Sequence, residues 1–157
     1  MKLYEALAMK TTLQSQLTQL ISLRNRSQEY PEDEEPEFNF DTLTIEIKDV
    51  VRKLSKLKLE IARANMNTML SNGKTLFESI TELQNLRSTL AQLKDLMHIE
   101  GRFLWGSERR TKKEDVRMRK QKDAQSLLTM LQEYQQRKNA LDSLIQQANH
   151  GIEIPEP

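Results

Sequence analysis

Leu43, Ile47, Val50, Leu54, Leu57, Ile61 and Ala64 recur at alternating spacings of four and three. That rhythm draws one apolar stripe along a long α-helix and predicts a helix over about 42–70, with Asp41 as its N-cap. A first helix is expected over about 3–27, where Leu3, Ala6, Leu13, Leu17 and Leu20 fit a heptad frame interrupted by Lys10 and Arg24, and Leu7, Ile21 and Leu23 widen the stripe. A third is expected over about 76–100 through Leu76, Ile80, Leu83, Leu86, Leu90, Leu93 and Met97. The fourth, over about 114–149, places Ala124, Leu127, Leu131, Tyr134, Leu141, Ile145 and Ala148 on one side, with Lys138 inside the seam.

The segments between these stripes carry chain-breaking signals. Tyr30-Pro31-Glu32-Asp33-Glu34-Glu35-Pro36 ends the first helix, because proline blocks propagation and crowded carboxylates repel one another. An acidic loop over 29–40 follows. Ser71-Asn72-Gly73-Lys74 reads as a turn, and Thr75 with Glu78 as a capping box that opens the third helix. Gly101 and Gly106 bracket a short insert, 101–113, that contains Phe103, Leu104 and the single tryptophan, Trp105. Helices of similar length joined by short linkers predict antiparallel hairpins. The expected fold is all-α: antiparallel helical hairpins forming an elongated four-helix bundle or coiled-coil-like domain over residues 1–157.

Composition narrows the function classes. Charged residues make up 30% and aromatics 5% of the chain, with Gly and Pro scarce, as long amphipathic helices require. Cysteine is absent, which excludes disulfides, thiolate metal sites and cysteine nucleophiles. The net charge of +1 conceals an acidic stretch at Glu29 to Glu37 and a basic one at Arg109 to Lys122, and a total near zero argues against wholesale nucleic-acid binding. The amino-terminal residues are too charged for a signal peptide and no run approaches a membrane span, so a soluble, cytoplasmic protein is expected.

Candidate sites are few. Asn65, Asn67 and Thr68 form a polar patch at the end of the second helix, able to fix register against a neighbouring helix or simply to cap a fraying end. Arg109, Arg110, Lys112, Lys113 and Arg117 begin a basic run that could contact phosphates, with Phe103 and Trp105 able to stack on bases or dock a partner. Glu108, Glu114, Asp115 and Asp123 interleave with that run, which also reads as a solvated helix start or as a counterpart to the acidic loop. A di-iron bundle needs paired Glu-x-x-His motifs. Asp95-x-x-His98 is the one near match, and His150 follows Gln147 rather than a carboxylate, so neither metal nor other cofactor is expected. Gly73-Lys74-Thr75 echoes the end of a phosphate-binding loop without its first glycine or strand. Asn25-Arg26-Ser27 has the form of a glycosylation acceptor, which matters only in a secreted protein.

Met1-Lys2-Leu3-x-Glu5-Ala6-Leu7, the acidic proline loop, and Ile61-x-x-x-Asn65-x-Asn67-Thr68 before Gly73-Lys74-Thr75-Leu76 together resemble the septicolysin-like family of uncharacterised bacterial helical proteins. Leu141-Asp142-x-x-Ile145-Gln146-x-x-Asn149 is similar to that family's carboxy-terminal pattern, and the sequence departs from it between Gly101 and Lys120. The resemblance implies an elongated helical hairpin or bundle capable of self-association, with no established activity. Apolar residues off the main stripes, Ile45, Val51, Leu59, Leu96 and Leu144, point the same way. The expected function is a non-enzymatic structural or protein-interaction module that forms homo-oligomers or docks another protein. A nucleic-acid-binding module using 109–122 is the alternative, and a membrane-active, cytolysin-like protein the third reading.

Overall fold

The computed structural model describes residues 1–97 and 122–157 in full and residues 98–105 by their backbone alone. Four α-helices follow in order: α1 (Leu3–Arg26), α2 (Phe40–Asn67), α3 (Leu76–Trp105) and α4 (Ala124–Gly151). The described residues contain no strand, only two isolated antiparallel bridges, Lys2 with Glu153 and Met69 with Thr75. The fold is all-α, as the apolar periodicity predicts. Two compact units divide it, one of residues Met1–Leu76 with Gln146–Pro157 and the other Phe77–Ile145.

In the first unit α1 and α2 pack as an antiparallel hairpin. Leu43, Ile47, Val50, Leu54, Leu57 and Ile61, the whole predicted stripe short of Ala64, are buried on α2. Leu20 of α1 joins Leu43, Ile47 and Val50 in one cluster, and Leu13, Leu17 and Leu23 pack against it. Burying each such leucine contributes about 1.5–3 kcal/mol, so this seam dominates the unit's stability.

The helix ends are set by side chains that satisfy orphan backbone groups. Glu5 accepts the backbone N–H of the N-cap residue Lys2 at 2.7 Å, half of a capping box. Asn39, not Asp41, caps α2: its Oδ1 accepts the Thr42 N–H at 3.0 Å, because the turn before the helix leaves residue 39 in the extended conformation that capping needs. Asp123 accepts the Ser126 N–H at 2.7 Å; the Ser126 side chain, together with this backbone bond, holds its carboxyl below the usual aspartate range.

Three predicted boundaries move by three residues or more. α2 stops at Asn67, because Thr68 turns extended and accepts the Leu76 N–H at 2.9 Å. α3 continues to Trp105, so Gly101 and Phe103 to Trp105 belong to a helix rather than to a loop insert; glycine lowers helix propensity by about 1 kcal/mol and one such residue does not break a long helix. α4 begins at Ala124 with Lys122 and Asp123 outside it, since the Asp123 cap fixes the start; the expected helical stretch 114–121 lies outside the described residues.

Residues 68–75 form the tight reversal that the Asn-Gly pair predicts. Leu70 donates to the Lys74 carbonyl at 2.8 Å and Gly73 to the Leu70 carbonyl at 3.0 Å, while Asn72 Oδ1 accepts the Lys74 N–H at 3.1 Å. Gly73 sits at φ +77°, the one positive φ among the described residues.

The carboxy-terminal segment returns to the start of α1. Leu3 donates to the Ile152 carbonyl at 2.9 Å, Ile154 to Met1 at 2.9 Å, and the Met1 nitrogen to Ile154 at 3.0 Å. Lys2 Nζ reaches Glu153 at 2.6 Å, the Tyr4 and His150 rings lie 4.5 Å apart, and Leu3, Ala6 and Ile154 are buried. The hydrogen bond from Lys2, reinforced by its charge, pulls the Glu153 carboxyl below the usual glutamate range.

The second unit pairs α3 with α4. Leu83, Leu86, Leu90 and Leu93 of α3 and Leu141 and Ile145 of α4 are buried; Leu127, Leu131, Tyr134 and the seam-breaking Lys138 are half-buried. Arg87 meets Asp142 at 3.4 Å and Arg137 meets Glu82 at 3.7 Å. Exposed pairs of this kind contribute little stability, so apolar burial holds this unit as well.

Two tests follow from these contacts. A Cβ at residue 73 would meet nothing within 4 Å, so Gly73→Ala isolates the backbone cost: urea unfolding should show a loss of about 1–2 kcal/mol, and less for Gly73→Asn. Because the folded pKa of Glu153 is depressed, its contribution is complete above the unfolded carboxylate pKa of about 4.3 and is lost as pH falls through the lower folded value. Glu153→Gln should therefore lower the melting temperature near neutral pH, and the gap should narrow as pH falls below the unfolded carboxylate value.

Candidate functional site

α2 carries apolar side chains on a second side. Ile45 and Leu59 each follow a buried leucine, Leu43 or Leu57, by two residues, which places them about 200° further round the helix. Met66 falls one heptad after Leu59. Their exposures are 61%, 51% and 57%, so the helices packed with α2 in its own unit leave this line open. Arg52 occupies the heptad position between Ile45 and Leu59, and Ser55 and Ala62 place small side chains beside the line.

The charges on this side are already partly ordered. Arg52 pairs with Asp49 at 3.2 Å and Arg63 with Glu60 at 2.7 Å, each one turn apart along α2. Lys53 and Lys56 join Asp49, Arg52 and Pro157 around a shallow hollow of about 340 Å³. The face is thus amphipathic in its own right, a narrow apolar line between basic and acidic side chains.

A different chemistry gathers where α1 meets α2. Tyr30, Pro31, Glu34, Glu35, Pro36 and Phe38 are among the residues around a hollow of about 220 Å³; a neighbouring one of about 410 Å³ shares Tyr30, Pro36 and Phe38 and adds Phe40 and Asp41. Exposed aromatic faces beside carboxylates suit a cationic group. Arg24 of the same hairpin supplies one, its guanidinium lying 5.6 Å from the centre of the Phe40 ring.

Of the residues singled out from the sequence, Asn65 and Thr68 are half-buried and Asn67 is exposed. Thr68 acts through its backbone as the C-cap of α2, donating to the Ala64 carbonyl at 3.0 Å. Phe103 and Trp105 lie on the last turn of α3, with side chains outside the described set; Arg109, Arg110, Lys112, Lys113 and Arg117 lie outside the described residues altogether. Among the described residues no three His, Asp or Glu side chains converge to hold a metal, and no described helix is long and apolar enough to cross a membrane.

The Tyr30, Phe38 and Phe40 cluster is not part of the expectation for 29–40, which is an acidic loop. Its signal was three aromatics spaced around two prolines in a chain poor in aromatics. Ile45, Val51, Leu59 and Leu96 were visible as surplus apolar residues and are exposed, whereas Leu144 is half-buried. Met66 completes the outward line that those spacings began.

A family model described as a family of unknown function, DUF6847, matches residues 10–154. The chain belongs to the DUF6847 family. No curated protein matches it. A crystal structure described as a functionally unknown conserved protein from Corynebacterium diphtheriae is similar over 99% of both chains, with a TM-score of 0.81 and 22% sequence identity. At that identity the likeness concerns the fold, so this DUF6847 chain shares its helical architecture with a functionally unknown protein.

Proposed function

We propose that this DUF6847 chain is a non-enzymatic interaction module that assembles with copies of itself through apolar side chains that its own helices leave outside the core. The outward line of α2 carries the reading: Ile45, Leu59 and Met66 stand opposite a fully formed buried stripe, each more than half exposed. A helix needs one apolar side to join a hairpin. A second one loses hydration cost only when another surface covers it, at about 25 cal/mol per Å² of apolar area. The septicolysin-like resemblance adds no activity of its own to this reading.

A second reading, a nucleic-acid interface, gains one observation. Lys48, Arg52 and Lys56 recur at single-turn spacing on the same outward side, a geometry suited to successive phosphates.

Size-exclusion chromatography with light scattering tests the proposal. The expected mass is a stable multiple of 18.4 kDa, reduced to one copy by Leu59→Glu with helical circular dichroism retained. Leu57→Ala, two residues away and fully buried, should instead cost about 2–5 kcal/mol of folding stability. A wild-type mass of one copy at every concentration overturns self-association, and salt-dependent oligonucleotide binding by that single copy would favour the second reading.

A further inference from the structure

We propose that the outward side of α2 is the contact between two copies of this chain, packed antiparallel about a twofold axis that passes beside Ser55 and Lys56. The inference rests on the self-association reading and specifies its surface and geometry. It begins from a symmetry in the sequence of α2. An axis between residues 55 and 57 exchanges positions whose numbers sum to about 112, so Ile45 faces Met66 of the second copy, Asp49 faces Arg63, and Arg52 faces Leu59 and Glu60. Such an isologous arrangement uses each contact twice.

Apolar and charged positions both match under that exchange. Ile45 and Met66, exposed by 61% and 57% in the single chain, cover one another at the two ends of a contact about 32 Å long. The aliphatic stem of Arg52 lies across Leu59 of the second copy while its guanidinium stays on Asp49. Ser55 near the axis and Ala62 on either side of it are small, which lets the helices approach to the about 8 Å of close helix packing.

The ion pairs already formed within α2 become halves of a larger ladder. Asp49 holds Arg52 at 3.2 Å and Glu60 holds Arg63 at 2.7 Å. In an antiparallel pair, residues on the same flank of the seam face their own kind, and Asp49, Lys56 and Arg63 share that flank at heptad spacing. Bringing Arg63 of the second copy to Asp49 joins the pairs into an alternating run, Arg52, Asp49, Arg63, Glu60, on each side of the axis. A parallel pairing would set Asp49 against Asp49 and Arg63 against Arg63, so charge selects the antiparallel direction. Lys56 alone meets its own copy, and its long stem lets the two ammonium groups splay into water.

The chain contains no cysteine, so single introduced thiols report the geometry directly. Ser55→Cys should form a disulfide-linked dimer under mild oxidation, because two thiols near the axis come within the Cα separation of about 7 Å that a disulfide tolerates. Ile45→Cys alone should stay uncrosslinked, since its neighbour is Met66. The double variant Ile45→Cys with Met66→Cys should crosslink to the same dimer mass. If the wild type is a multiple of 18.4 kDa but Ser55→Cys remains uncrosslinked, or Ile45→Cys alone crosslinks, the antiparallel α2 contact is wrong and self-association stands on another surface. A wild type that runs as one copy removes both.

Discussion

The buried stripe of α2 is the interaction on which the rest of the first unit depends. Leu43 to Ile61 bury an uninterrupted apolar line, with Leu43, Ile47 and Val50 clustered on Leu20 of α1, and a line of that length leaves only one rotation of α2 open to it. Once that rotation is set, Ile45, Leu59 and Met66 have no place but the far side, and Arg52, Asp49, Glu60 and Arg63 fall along its edge. The exposed line is therefore a consequence of the core and not a separate device.

Local chemistry then fixes where the helices begin and end. Asn39, Glu5 and Asp123 each satisfy a backbone donor at a helix start, and Gly73 lets the chain reverse between α2 and α3 at a φ that other residues resist. The return of Ile152 to Ile154 onto Met1 to Leu3 closes the first unit with main-chain hydrogen bonds and one exposed ion pair. These interactions are individually small. They decide boundaries, while leucine and isoleucine burial decides that the helices pair at all.

Periodicity made the fold legible because each helix buries one side, and a residue every third or fourth position must then be apolar. On that ground alone the α2 stripe is legible to its last isoleucine, Ile61. Caps were harder: Asp41 and Asn39 are both competent side chains, and only the extended backbone at residue 39 chooses between them. The end of α3 is not legible in the sequence, because Gly101 resembles a stop signal and costs too little to act as one in a helix of that length. Of the candidate sites, the outward line of α2 was half visible, in Ile45 and Leu59. The order of charges beside it is not legible, because Asp49 and Arg63 stand two heptads apart and have no contact within one chain.

Unfolding by urea at protein concentrations about a hundredfold apart tests most directly whether the second apolar side of α2 belongs to the folded state. Folded chains held by their own copies gain stability by mass action, so the account predicts a denaturation midpoint that rises with concentration. A midpoint that does not move across that range would contradict it, and would mean that the helices of one chain already satisfy one another.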